Sequence, residues 1–212
     1  MKESSRKSAY GDPEARRRMT LDAAAALLDE GGYTALTIRS VAQRSGTSTG
    51  LIYQYFADKE EIFIALLIES QIESTAFVEA LPRDGGVAAL IASVIPQSAR
   101  QWGRVGRLTA TWSATEGDAR YDRTSVVELR HTSRLYDEAL HAAVIEAASQ
   151  EGRRLRDDAP LLRFVVAGLI GVSETLVNNW APHLDQSDLI HFAAEAITRG
   201  ITAPGSTTDQ PG

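Results

Sequence analysis

From about residue 13 to residue 200 the apolar side chains recur at the three- and four-residue steps of a helix. Nowhere do they alternate over a β-branched run bounded by hairpin turns, so the pattern predicts an all-α chain. A first helix opens at Pro13, whose fixed φ suits a first turn, and sets Leu21, Ala24, Ala25 and Leu28 on one face before Gly31 and Gly32 end it. Thr37 is placed to cap a short second helix with apolar Ile38, Val41 and Ala42, which breaks at Ser45 and Gly46. Ser48 then caps a third short helix through Tyr53, and Asp58 caps a fourth from Lys59 to about Glu79. Further breaks at Asp84, Gly85 and Gly86, at Glu116, Gly117 and Asp118, at Gly152 and at Pro182 leave helices over about 85–99, 101–116, 119–150, 159–181 and 186–200.

Two short helices joined by a tight glycine turn form the pattern of a helix-turn-helix, here over residues 38–56. In such a pair the N-terminal residues of the second helix enter the major groove, so they must be small, polar or able to hydrogen-bond. Thr47, Ser48, Thr49, Gly50 and Gln54 meet that demand, while Ile52 and Phe56, four residues apart, face the core against Val41. Tyr53, Tyr55 and Lys59 can reach phosphate oxygens, and either tyrosine can instead pack, as aromatics at short helical spacing commonly do. For base reading, Gln54 can pair with adenine, Leu51 can touch a thymine methyl, and Thr49 can serve either purpose. Arg16, Arg17 and Arg18, and Lys2, Arg6 and Lys7 before them, lie beside the duplex or are simply solvated.

The segment over 159–181 is apolar on nearly every face, so it must be covered on several sides. With the next helix it offers Leu169, Val172, Leu176, Leu189, Phe192, Ala193 and Ala196 to a second copy, forming a four-helix interface in a homodimer, or else to an intramolecular core. A two-fold dimer presents two reading helices about one DNA turn apart, which matches a palindromic or pseudo-palindromic operator on double-stranded DNA.

Charge sharpens this division. The net charge of −6 over 212 residues is unusual for a DNA binder, but residues 1–59 are net positive and residues 60–212 carry the acidic excess. The absence of cysteine removes disulfides, thiolate nucleophiles and cysteine metal sites, which suits a cytoplasmic protein. No apolar run approaches the roughly 20 residues of a membrane span, and no secretory signal is visible at the start. His131, His141, His183 and His191 show no spacing for a metal pair, so no metal and no cofactor are expected. Residues 46–50, Gly-Thr-Ser-Thr-Gly, satisfy the nucleophile-elbow pattern of serine hydrolases, but that elbow needs a strand before it, and a helix precedes it here. An enzyme is therefore not expected. A helical interaction module without DNA contact keeps the same fold and is separated by salt-dependent DNA binding.

The blocks Gly32-Tyr33, residues 37–42 (Thr-Ile-Arg-Ser-Val-Ala), residues 45–48 (Ser-Gly-Thr-Ser), residues 51–56 (Leu-Ile-Tyr-Gln-Tyr-Phe) and residues 59–63 (Lys-Glu-Glu-Ile-Phe) strongly resemble the DNA-binding domain of the TetR family of repressors. The resemblance covers about residues 14–63. It implies a three-helix N-terminal domain, a larger helical ligand-binding and dimerisation domain, homodimerisation, and release from DNA when a small-molecule effector binds. Thr37, Thr47, Ser48, Thr49, Gly50, Tyr53, Tyr55 and Lys59 stand where that family contacts DNA. The chain departs from it at Thr47, where an apolar residue is commoner, and at Thr49, where Lys, Arg or Pro often stands. The expected organisation is a flexible arm over 1–12, a DNA-binding domain over 13–59, an effector-binding and dimerisation domain over 60–202 and a disordered tail over 203–212. Trp102, Trp112, Tyr121, Tyr136, Phe164, Asn178 and Trp180 are the candidates to line an effector pocket for a hydrophobic or amphipathic molecule, or else to fill the core. Arg130, His131 and Arg134 lie within one turn and either hold an anion or are surface charge.

Overall fold

The computed structural model describes residues 12–106, 108–109 and 123–204. Its helices are α1 (Pro13–Ala35), α2 (Ile38–Ser45), α3 (Thr49–Ile52), α4 (Lys59–Ala80), α5 (Gly86–Gln101), α6 (Thr124–Gln150), α7 (Leu161–Val177) and α8 (Gln186–Ile201), with a π-helical turn at Trp102–Gly106. The architecture is all-α, as the periodicity requires. The chain divides into two compact units, one from Met1–Ser70 with Arg104–Arg130, the other from Gln71–Gly103 with His131–Gly212. The first compact unit therefore runs past Lys59 and takes in a later stretch of chain, a different partition from 13–59 and 60–202.

In the first unit, Asp12 caps α1 through the amide of Glu14 and Pro13 occupies the first turn. Leu21, Ala24 and Leu28 are fully buried on its inner face, as spaced. Gly31 and Gly32 end the regular part of this helix, as expected: Gly32 is non-helical, with a φ of 66° and a ψ of −165° that suit a residue without Cβ, and a separate short helical turn follows as far as Ala35. The bend tucks Tyr33 into the core, where its ring meets Phe63 edge-on at 5.1 Å. Around it, α4 buries seven consecutive side chains from Ile62 to Ile68, which makes it the central helix of this unit.

In the second unit, α5 packs against α7 and α8 over a core of Val87, Leu90, Ile91, Val94 and Ile95 with Leu140, Val144, Val165, Leu169 and Ile197. Gly168 lets α8 approach, since a Cβ there would sit 3.2 Å from Ile197. The Glu151 carboxylate accepts from the Val87 amide at 2.5 Å and so closes the start of α5.

Several boundaries differ from the sequence expectation. Residues 153–155 pair antiparallel with residues 202–204, Arg153 opposite Pro204 and Leu155 opposite Thr202. Three residues per strand give no alternation to read, so periodicity misses this ladder. It also orders Ala203 and Pro204, which were assigned to the tail; residues 205–212 lie outside the described residues. The helix expected from 101 begins as the π turn at Trp102, the one expected from 119 is described from Thr124, and α7 stops at Val177 because Asn179 turns to a φ of 50°.

Candidate nucleic-acid interface

The pair α2 and α3 is built by local capping. The Thr37 hydroxyl accepts from the Ser40 amide at 3.0 Å while the Ser40 hydroxyl accepts from the Thr37 amide at 3.0 Å, closing a reciprocal box at the start of α2. At its end Gly46 adopts left-handed backbone (φ 70°, ψ 27°), and its amide and that of Thr47 both reach the Ala42 carbonyl. Ser48 opens α3, its hydroxyl accepting from the Leu51 amide at 3.2 Å. Arg44 holds Glu30 through two 2.6 Å contacts, tying α2 to α1.

Those caps decide which side chains face outward. Ile52 is fully buried and Phe56 nearly so, which anchors α3 on the core as their four-residue spacing predicts. Ser48, Thr49, Gly50, Tyr53 and Gln54 are exposed, Tyr53 at 58%. Tyr55 is half-buried against the core, and Thr47 is half-buried in a hollow lined by Arg16, Met19, Thr20, Ser45 and Leu51. The packing of Thr47 gives a physical reason why its position favours an apolar residue. Thr37 is exposed, though its hydroxyl is already committed to the cap.

Charges around the pair are arranged rather than loose. Arg18 meets Asp22 and Glu69 at 2.8 and 2.9 Å, and Arg17 lies 5.5 Å from the Phe56 ring centre, so these two arginines brace α1 within this unit. Lys2, Arg6 and Lys7 lie outside the described residues. At the start of α4, Asp58 accepts from the Glu61 amide at 3.0 Å, and Arg123 reaches Asp58 at 2.9 Å, Glu60 at 2.7 Å and Glu61 at 3.3 Å. Burial pushes the Asp58 carboxyl up, but the Glu61 amide and the Arg123 guanidinium outweigh it and hold it below the ordinary carboxylate value. Lys59 rests its ammonium 4.3 Å from the centre of the Tyr33 ring.

Sequence pattern placed Tyr33 in the Gly32-Tyr33 block without giving its side chain a role, and did not single out Arg123, which is more than 60 residues from its partners. Arg39 is exposed in the first turn of α2. In the Gly-Thr-Ser-Thr-Gly run, Gly46 to Ser48 form the turn and Thr49 and Gly50 open α3, with Ser48 as a cap and helix before it, so the elbow geometry is absent.

The described residues among those proposed for an effector pocket differ in exposure. Trp102 and Tyr136 are half-buried, whereas Phe164, Asn178 and Trp180 are exposed at the surface of the second unit, Phe164 because it lies on the outer face of α7 and the others because that helix has ended. Trp112 and Tyr121 lie outside the described residues. Among the interface candidates, Leu169 and Ala193 are buried in the chain's own core, because Gly168 brings α8 against that side of α7. Val172, Leu176 and Leu189 are half-buried, Ala196 is exposed and Phe192 is 72% exposed. Arg130, His131 and Arg134 are all exposed. Among the described residues no group of potential metal ligands is found, and no helix is long and apolar enough to cross a membrane.

Two helices joined at a left-handed glycine, the second locked inward by Ile52 and Phe56 with its polar face open, define the helix-turn-helix class of DNA-binding domain. Residues 21–66 match the family model of the bacterial regulatory proteins of the tetR family. It is 46% identical over 64 residues to the HTH-type transcriptional regulator HbdR of Aromatoleum sp. (strain CIB), covering 29% of this chain and 28% of that protein. It is 40% identical over 52 residues to the HTH-type transcriptional repressor KstR of Rhodococcus jostii, covering 24% of each. The match therefore spans less than a third of these relatives. The solved structure of the transcriptional regulator FadR from Bacillus subtilis in complex with stearoyl-CoA aligns at a TM-score of 0.62 and 16% identity, over 87% of this chain and 98% of that one, a likeness of fold.

Proposed function

We propose that the chain is a sequence-specific DNA-binding transcriptional regulator, a homodimeric repressor that leaves a palindromic or pseudo-palindromic operator when a hydrophobic or amphipathic small molecule binds its second unit. The observation that carries the DNA-binding reading is the exposed polar face of α3, Ser48 to Gly50 with Tyr53 and Gln54, over a buried Ile52. Tyr53 and Lys59 act on phosphates, and the small residues of α3 approach base edges. Tyr55 and Thr47 contribute chiefly by seating the helix. Repression is the reading favoured by the KstR relative, which is named a repressor.

For the homodimer, the support is the apolar surface that α7 and α8 leave open: Phe164, Ile170 and Phe192, flanked by Val172, Leu176, Leu189 and Ala196. For the effector, the support is the chemistry of the second unit's interior. Its buried polar residues among the described ones, Ser74, Thr132, Ser173, Thr198 and Thr202, all bear hydroxyls, and charge enters through the largely buried guanidinium stems of Arg83 and Arg153. Tyr136 bonds Ser98, and burial raises its phenol above the ordinary value. A mostly apolar interior suits an apolar ligand body with few polar contacts, and FadR of like fold holds stearoyl-CoA. Selection of bound fragments from the source genome tests the reading. Enrichment of a two-fold symmetric sequence supports it, and recovery of unrelated fragments at equal yield counts against it.

A further inference from the structure

We propose that Tyr33 is the positioning residue for the Lys59 phosphate contact: its ring holds the Lys59 ammonium at the start of α4 as an un-neutralised cation aimed for DNA. The inference rests on the DNA-binding reading above and adds a residue to it.

A lysine at this place is opposed by the protein around it. Lys59 is the first residue of α4, where the helix dipole disfavours a cation and favours the acidic residues that follow it. Three carboxylates flank it in sequence, Asp58, Glu60 and Glu61, and any of them within reach would pair with the ammonium. All three are turned instead onto Arg123, at 2.9, 2.7 and 3.3 Å, and among the described residues Lys59 forms no ion pair. Its ammonium lies 4.3 Å from the Tyr33 ring centre. A π face differs from a carboxylate in one respect that matters here: it attracts and orients the cation without cancelling its charge. The long, flexible lysine stem is thereby held before DNA arrives, which lowers the ordering cost of the contact.

The ring itself cannot drift. Gly32 takes a φ of 66°, which turns the chain so that Tyr33 is 5% exposed, and Phe63 from the next turn of α4 meets the ring edge-on at 5.1 Å. The same helix therefore supplies both the cation and the wedge that fixes its platform. The choice of residue type is consistent with a positional role: Lys59 is the only lysine beyond residue 7 in a chain that otherwise uses arginine.

The test measures binding of the full chain to a 30-base-pair duplex of random sequence by fluorescence anisotropy across salt concentrations, so that no operator is needed. Lys59→Ala is expected to lower the slope of log K against log salt by about 0.9, the loss of one phosphate contact. Tyr33→Leu is expected to lower the affinity severalfold at each salt concentration, Tyr33→Phe to restore it, and Tyr33→Leu in a Lys59→Ala background to lower it no further. An unchanged slope in Lys59→Ala defeats the phosphate contact itself. A reduced slope in Lys59→Ala with an unchanged affinity in folded Tyr33→Leu defeats the positioning role alone. Should Tyr33→Leu not fold, the wild-type proton NMR spectrum decides: the Lys59 ε-methylene protons are expected upfield of those of Lys2 and Lys7 through the ring current, and coincidence of the three overturns the proposal.

Discussion

At the scale of single residues, the base of α4 concentrates the charge chemistry of the first unit. Glu60 is 3% exposed and Arg123 is about one-third exposed, so removing the arginine leaves a nearly buried carboxylate with one partner fewer. Breaking fully buried pairs costs about 3–5 kcal/mol, and partial exposure of Arg123 lowers the expectation for Arg123→Ala to about 1–3 kcal/mol in chemical denaturation. Asp58 gives the same cluster a pH dependence. Its folded value lies below the unfolded one, so its contribution is present in full above the unfolded value near 3.8 and fades as pH falls through the folded value. The thermal midpoint of wild type is therefore expected to drop more steeply on acidification below about pH 4 than that of Asp58→Asn. Parallel curves for the two proteins would show that the carboxylate is not held low.

Among elements, the turns are more demanding than the helices they join. Gly46 and Gly32 both have positive φ, but Gly46 is in the left-handed region that asparagine visits, with nothing within 4 Å of a built Cβ. Gly32 combines φ 66° with ψ −165°, a conformation that is nearly glycine's alone. Gly46→Asn is expected to cost well under 1 kcal/mol and Gly32→Asn about 1–3 kcal/mol in urea unfolding, with equal costs contradicting the assignment of these two backbones. Much of this scale was legible beforehand. The caps at Thr37 and Ser48, the break at Gly46 and the inward pair Ile52 and Phe56 are signals written within a few residues of one another. What escaped notice depends on distance or on brevity. Arg123 finds Glu60 only through the fold, the 153–155 and 202–204 ladder is too short to show a period, and the short helical turn after the stop at Gly32 carries no periodic signal of its own.

For the whole molecule, the exposed Phe164, Ile170 and Phe192 of α7 and α8 have no explanation inside the second unit's own core. Leu169 and Ala193 face the chain's own core, a distinction that helical spacing on two apolar helices could not make. Phe192, 72% exposed, is the residue whose change tests the homodimer most cleanly, since it supports little of the chain's own core. Phe192→Glu is expected to yield a folded monomer by analytical ultracentrifugation with DNA affinity reduced at least tenfold, because one of two half-site contacts is lost. A dimer that persists with unchanged affinity would place the interface elsewhere. The interior of the second unit leads to the expectation that uncharged apolar compounds raise the thermal midpoint and release DNA, whereas stabilisation solely by polar cations would contradict it.

The central claim is that the exposed face of α3 reads DNA sequence, and the measurement that meets it most directly is a ratio. Equilibrium affinity for a duplex selected from the source genome is compared with that for a scrambled duplex of equal length and composition at about 150 mM salt. A ratio of about 1,000 or more is expected, falling towards unity when Thr49 and Gln54 are both replaced by alanine while the salt slope stays near its wild-type value. A wild-type ratio near 1 would contradict the account.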